Sequence, residues 1–119
     1  MRIRFFLQKE TVVKTRYFVA MIAALSVSAT AFAAGDGEAL FNKNKCNTCH
    51  KPDAKSVGPA LKAISEKYAA DKDAPAKLQA KVRAGGAGAW GTVPMPRIPA
   101  STVSDEELKA IVAWMLAHR

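Results

Sequence analysis

The feature that most constrains this chain is its pair of cysteines. Cys46 and Cys49 are the only two in 119 residues. Three positions apart, they could close only a tiny loop, and such a disulfide would staple almost nothing. Yet the part of the chain that folds is small and needs a staple. Residues 1–33 read as an export signal, which leaves one domain of 86 residues, 34–119. At that size an apolar core alone gives marginal stability, and a metal or cofactor is the usual supplement.

The signal reading rests on the order of its parts. Arg2, Arg4, Lys9, Lys14 and Arg16 form a basic leader. An apolar run from Tyr17 to about Leu25 follows and trails through small residues to Ala31-Phe32-Ala33. Small residues at both positions read by a signal peptidase put cleavage after Ala33, with Ala29-Thr30-Ala31 as a second site. A membrane span needs about 20 apolar residues, and Ser26, Ser28 and Thr30 dilute this run, so no permanent anchor is expected. The expected location is the periplasm.

The leader also accounts for half of the charge. The chain has 18 Lys and Arg against 10 Asp and Glu, a net +8. Five of those bases and one acid, Glu10, belong to the leader, so residues 34–119 keep 13 against 9, or +4. A modest positive surface of this kind suits an acidic protein patch. No arginine-rich stripe or groove-reading motif is present, and no nucleic-acid partner is expected.

Four helices and no strand are predicted. The first spans about 37–45, with Asp36 as N-cap and Leu40 and Phe41 apolar. The second starts at Gly58-Pro59 and runs to about Ala69, with Leu61, Ile64 and Tyr68 on one face. The third covers about 73–83, carries Leu78 and Val82 on one side, and stops at Gly85-Gly86. The fourth opens on a capping box of Ser104 and Glu107, with Val103 stapled onto Leu108. Its stripe is Leu108, Ile111, Val112, Met115 and Leu116, with Trp114 at the edge. Gly85 to Ala100 is predicted to be an irregular loop, but it holds Trp90, Val93, Met95 and Ile98, which need something to pack against.

Cys46-Asn47-Thr48-Cys49-His50 is a C-x-x-C-H motif, the attachment signature of c-type haem. Two thiols at this spacing can each form a thioether with a vinyl group, while the adjacent imidazole reaches the iron. A zinc site would need four ligands, and His118 is the only other histidine. A thioredoxin-like dithiol would need a βαβ context that this chain lacks. One covalent haem c is therefore expected. For the iron's other axial position the candidates are Met95, Met115 and His118. Met115 lies on an apolar helix stripe, where methionine usually fills core, and His118 lies at the chain end. Met95 sits in Val93-Pro94-Met95-Pro96, where flanking prolines restrict the backbone as a weak thioether ligand requires. Met95 is favoured, and His/Met is an established ligation for c-type haem.

With these residues in place the sequence resembles the small bacterial class I cytochromes c of the c-551 type. The resemblance spans 36–119 and rests on ordered motifs. They are Leu40-Phe41, the C-x-x-C-H motif, Val57-Gly58-Pro59-Ala60, Gly88-Ala89-Trp90-Gly91-Thr92-Val93-Pro94-Met95-Pro96, and a last helix with Ala113-Trp114. It implies an all-α class I fold of about four helices wrapped around one covalent haem. It also implies Cys46 and Cys49 as attachment points and His50 and Met95 as axial ligands. The Pro59 carbonyl would accept from the His50 ring N–H, and Trp90 and Lys81 would lie near a haem propionate. Plain structural readings of these three stand beside this: Pro59 as a helix start, Trp90 as core, Lys81 as a solvated helix residue. Thr92 and Arg97 replace prolines common in the family, and Lys81 replaces an arginine, a point charge in place of a planar fork.

A six-coordinate iron leaves no open position for a substrate. The expected function is outer-sphere single-electron transfer by a monomeric periplasmic carrier, not catalysis. Its partners would be redox proteins. A quinol-oxidising cytochrome complex fits as donor, and a nitrite reductase or terminal oxidase as acceptor. Lys43, Lys45, Lys51 and Lys55 lie close to the attachment motif and could steer an acidic partner or serve only as solubilising charge. A haem enzyme or sensor is the alternative if Met95 does not bind iron, and a haem-free dithiol protein is a further one.

Overall fold

The computed structural model describes residues 34–118, and the expected export signal at 1–33 lies outside them. The described elements, in chain order, are α1 (Ala34–Lys43), a 3-10 turn (Cys46–Thr48), α2 (Leu61–Lys67), α3 (Ala74–Ala84), β1 (Gly86–Gly88), β2 (Gly91–Met95) and α4 (Asp105–Leu116).

α4 organises the rest. Its capping box forms as the sequence predicts: the Ser104 hydroxyl accepts from the Glu107 N–H at 3.2 Å, and Glu107 Oε2 accepts from the Ser104 N–H at 3.1 Å. Leu108, Ile111, Val112 and Met115 are buried, and Val103 joins them in the core. α1, α2 and α3 all pack on this helix. The closest approach is at Gly37 of α1, where a Cβ would run into the Trp114 Cβ and lie 2.6 Å from the Ala110 carbonyl oxygen. A glycine inside a helix costs about 0.5–1 kcal/mol relative to alanine, and here it permits the crossing. One turn on, Phe41 tilts against Trp114 with ring centroids 5.1 Å apart.

Helix ends differ from expectation because of the hydrogen bonds made at them. α1 starts at Ala34, so Asp36 lies in the first turn rather than at the N-cap, where its charge still suits the helix dipole. It ends at Lys43 because Asn44 turns its side chain back onto the Leu40 carbonyl at 2.9 Å. Lys45 then adopts a left-handed conformation at φ 58°. α2 starts at Leu61, not at Gly58-Pro59. Its first N–H groups are taken by the preceding segment, Leu61 N to Lys51 O at 2.9 Å and Lys62 N to Pro52 O at 3.1 Å. Pro59 is therefore not the helix start. α3 has Pro75 in its first turn and ends at Gly85, as expected.

The segment predicted to be an irregular loop contains an antiparallel hairpin. β1 pairs with β2 as Gly86↔Met95 and Gly88↔Gly91, with a register irregularity between them. Backbone ladders need no alternating side chains, so a glycine-rich hairpin leaves no periodic trace in the sequence. Its base fits tightly against the end of α3. A Cβ on Gly85, whose φ is +65°, would lie 2.7 Å from both the Met95 carbonyl oxygen and the Arg97 nitrogen.

Among the described residues, no helix is long and apolar enough to cross a membrane.

Candidate functional site

The first site residues stand on the short turn after α1. Left-handed Lys45 reverses the chain into the 3-10 turn Cys46–Thr48. The His50 N–H then closes onto the Cys46 carbonyl at 3.1 Å. The turn thereby presents two thiols and an imidazole within five residues. Cys46 and Cys49 are not bonded to each other and are half-buried. Burial pushes the Cys46 thiol up from its ordinary value, against a backbone hydrogen bond and with a smaller contribution from nearby Cys49.

His50 is held from behind. Its Nδ1 lies 2.9 Å from the Pro59 carbonyl oxygen. A carbonyl can only accept, so Nδ1 carries a proton, and in the neutral ring the lone pair is then on Nε2. Gly58 leaves the ring its place, since a Cβ there would lie 2.6 Å from the ring Cε1. The Gly58 N–H also ties this segment to the Cys49 carbonyl at 2.9 Å.

Cys46, Cys49, His50 and Met95 all line one cleft of about 330 Å³, a size within the usual range of about 300–1,000 Å³ for cofactor sites. Its walls come from the C-x-x-C-H segment, the hairpin, α3 and the apolar stripe of α4. Pro59, Lys81 and Trp90 line it too. Lys81 approaches the hairpin, its Nζ 3.9 Å from where a Gly86 Cβ would stand. Trp90 is 38% exposed and is not a core residue. Met115 is 8% exposed, belongs to the core cluster and also touches the cleft. His118 does not line the cleft; its ring packs edge-on against Trp114 at 5.7 Å.

Sequence reasoning missed part of the cleft. Ile64, Leu78 and Ile98 reach it as well. The first two were predicted as the apolar faces of helices, but periodicity cannot say whether such a face meets another helix or a ligand. The chemistry of the set fits haem. Two thiols and an imidazole stand beside a mainly apolar cleft that also holds a thioether, and a backbone carbonyl selects the imidazole tautomer with a free Nε2.

A small helical domain with this donor set on such a cleft defines a c-type haem protein. The comparisons agree. The family model for cytochrome c matches residues 34–119. Cytochrome c-551 of Azotobacter vinelandii is 42% identical over 83 residues, 70% of this chain and 98% of that protein. Cytochrome c-552 of Nitrosomonas europaea is 43% identical over 94 residues, 79% of this chain and 88% of that protein. The crystal structure of wild-type Nitrosomonas europaea cytochrome c552 superposes with a TM-score of 0.63 at 44% identity, covering 69% of this chain and 99% of that one. The chain belongs to the cytochrome c family, as a small class I member of the c-551 type. It carries one covalently attached haem c and is a monohaem electron carrier rather than an enzyme.

Proposed function

We propose that this carrier works in the periplasm with His50 and Met95 as axial ligands of its iron and Cys46 and Cys49 as thioether attachment points. It would pass single electrons between redox proteins. The observation that carries the reading is the Nδ1–Pro59 contact at 2.9 Å. It fixes the ring tautomer and leaves Nε2 as the donor in the cleft that Met95 shares. Bound haem supplies an Fe(III)/Fe(II) couple, and a thioether ligand with apolar burial raises its potential.

The chain's own residues do the remaining work. Pro59 orients His50. The apolar stripe of α4 and the hairpin exclude water from the cleft. Lys81 and Trp90 border it and offer a cation and an indole N–H to the haem's propionates. Trp90 serves there as cleft wall, and Pro59 as acceptor.

Residues 1–33 would act as the export signal, with cleavage after Ala33. A quinol-oxidising complex as donor and a nitrite reductase or terminal oxidase as acceptor suit such a carrier. Lys43, Lys45, Lys51 and Lys55 are all exposed. Lys43 pairs with Glu107 at 3.1 Å and Lys51 donates to the Asn47 carbonyl at 2.7 Å. Lys55 also borders the cleft, which makes it the best placed to meet an acidic partner.

The test is spectroscopic. Protein purified from the periplasm should have the mass of residues 34–119 plus one haem. Its ferric form should show the weak red-edge band of methionine-ligated iron, and Met95→Ala should abolish that band. A high-spin native protein whose ferrous form readily binds carbon monoxide would overturn the ligand set.

A further inference from the structure

Two cations outside the cleft grip the segment that carries Met95, one before it in sequence and one after. Lys67, the last residue of α2, donates from Nζ to the Ala89 carbonyl at 3.0 Å. The same Nζ stands 4.4 Å from the centre of the Trp90 ring. Ala89 and Trp90 form the turn of the hairpin. Arg83, in the last turn of α3, donates from Nη1 to the Ile98 carbonyl at 3.0 Å and pairs through Nη2 with Asp105 at 2.6 Å. Beside it the Ile98 N–H donates to the Val82 carbonyl at 3.0 Å. Neither cation is a cleft residue, and neither belongs to the ligand set.

The hairpin depends on such ties. Neither strand packs broadly against a helix. Both strands line the cleft instead, so what ties them to α2 and α3 outside it is polar. In such a segment each polar link to the scaffold contributes directly to the local opening equilibrium.

We propose that Lys67 and Arg83 are positioning residues that clamp the hairpin at its turn and just beyond its end, and so set how readily Met95 withdraws from the iron. The inference rests on the reading of Met95 as a ligand. For the thioether to leave, the 89–98 segment must swing away, and that movement breaks the Lys67–Ala89 and Arg83–Ile98 bonds. Their strength therefore enters the opening equilibrium directly. An added ligand such as imidazole binds only the open form, so its apparent affinity follows the open fraction. Loss of the charged hydrogen bond, exposed but joined by a cation–π contact at Lys67 and part-buried at Arg83, should raise that fraction about five- to tenfold.

The experiment is imidazole titration of the ferric holoprotein, read by loss of the red-edge band, with Lys67→Met, Lys67→Arg and Arg83→Met. Both methionine variants should bind imidazole about five- to tenfold more tightly than the parent. Lys67→Arg keeps a cation and donor at the turn and should stay near the parent value. Global unfolding by denaturant is measured alongside. If the parent shows the band but both methionine variants bind imidazole at parental affinity, the clamp is wrong even if their global stability drops. If Lys67→Arg behaves as Lys67→Met, the role assigned to the Lys67 cation is wrong. A parent protein without the band would overturn the Met95 reading itself, and the clamp with it.

Discussion

Replacing Gly58 with alanine tests how the chain aims His50. A Cβ at that position would lie 2.6 Å from the ring Cε1, 2.9 Å from Nδ1 and 3.2 Å from Nε2. Comfortable carbon contacts are about 3.5–4 Å, so the ring must retreat by about 1 Å. A 2.9 Å bond from Nδ1 to the Pro59 carbonyl does not survive such a shift. Overpacking of this kind costs about 1–3 kcal/mol, and the lost hydrogen bond adds about 1 kcal/mol. Gly58 does not have positive φ, so alanine recovers about 0.4–1 kcal/mol through the unfolded chain. The net loss is about 1–3.5 kcal/mol, a drop in Tm of roughly 5–25 °C for a domain this small. An imidazole without its carbonyl partner is also a weaker donor, so the reduction potential should rise. Thermal unfolding and redox titration of the haem-loaded variant measure both effects. A Gly58→Ala protein with parental Tm and potential would refute the argument that the ring is pinned between Gly58 and Pro59.

Three further outcomes follow from the same contacts. Ser104→Ala removes the hydroxyl that accepts from the Glu107 N–H and should cost about 1 kcal/mol, seen in denaturant unfolding with an unchanged haem spectrum. Gly37→Val drives a branched side chain into Trp114 and the Ala110 carbonyl. It should separate α1 from α4 and destabilise the domain by more than 2 kcal/mol, measured by the same unfolding. On the acid side, a bond from the Ser104 N–H and then Lys43 hold the Glu107 carboxyl below its ordinary value of 4.5. Lys77 and then the Asp73 N–H hold Asp71 below 3.8. Both folded values are depressed, so this stabilisation is present above the unfolded values and is lost as pH falls through the folded ones. Stability should be level from neutral pH to about 5 and decline below about 4.5, and Glu107→Gln with Asp71→Asn should make that decline shallower.

Much of this protein was legible from local chemistry. The spacing of Cys46, Cys49 and His50 names a covalent haem by itself, because few other sites place two thiols and an imidazole within five residues. The capping box of Ser104 and Glu107 placed the start of α4 to the residue, and the apolar stripe after it named its buried face, since both signals are local and periodic. Boundaries were less legible where a distant partner decided them. α2 starts at Leu61 rather than Gly58 because Lys51 and Pro52 take its first N–H groups, a competition that no helix propensity contains.

The hairpin was invisible for a different reason. Its pairing of Gly86 with Met95 is made by backbone atoms, and its attachments are single cations from helices far along the chain, Lys67 at 22 residues from Ala89 and Arg83 at 15 from Ile98. Sequence alone determined which atoms can hold a haem, because covalent spacing and side-chain chemistry travel with the chain. Only the tertiary structure decided how those atoms face the cleft, which imidazole nitrogen keeps its lone pair, and what holds Met95 in place. Those depend on contacts whose partners are set by folding and not by position along the chain.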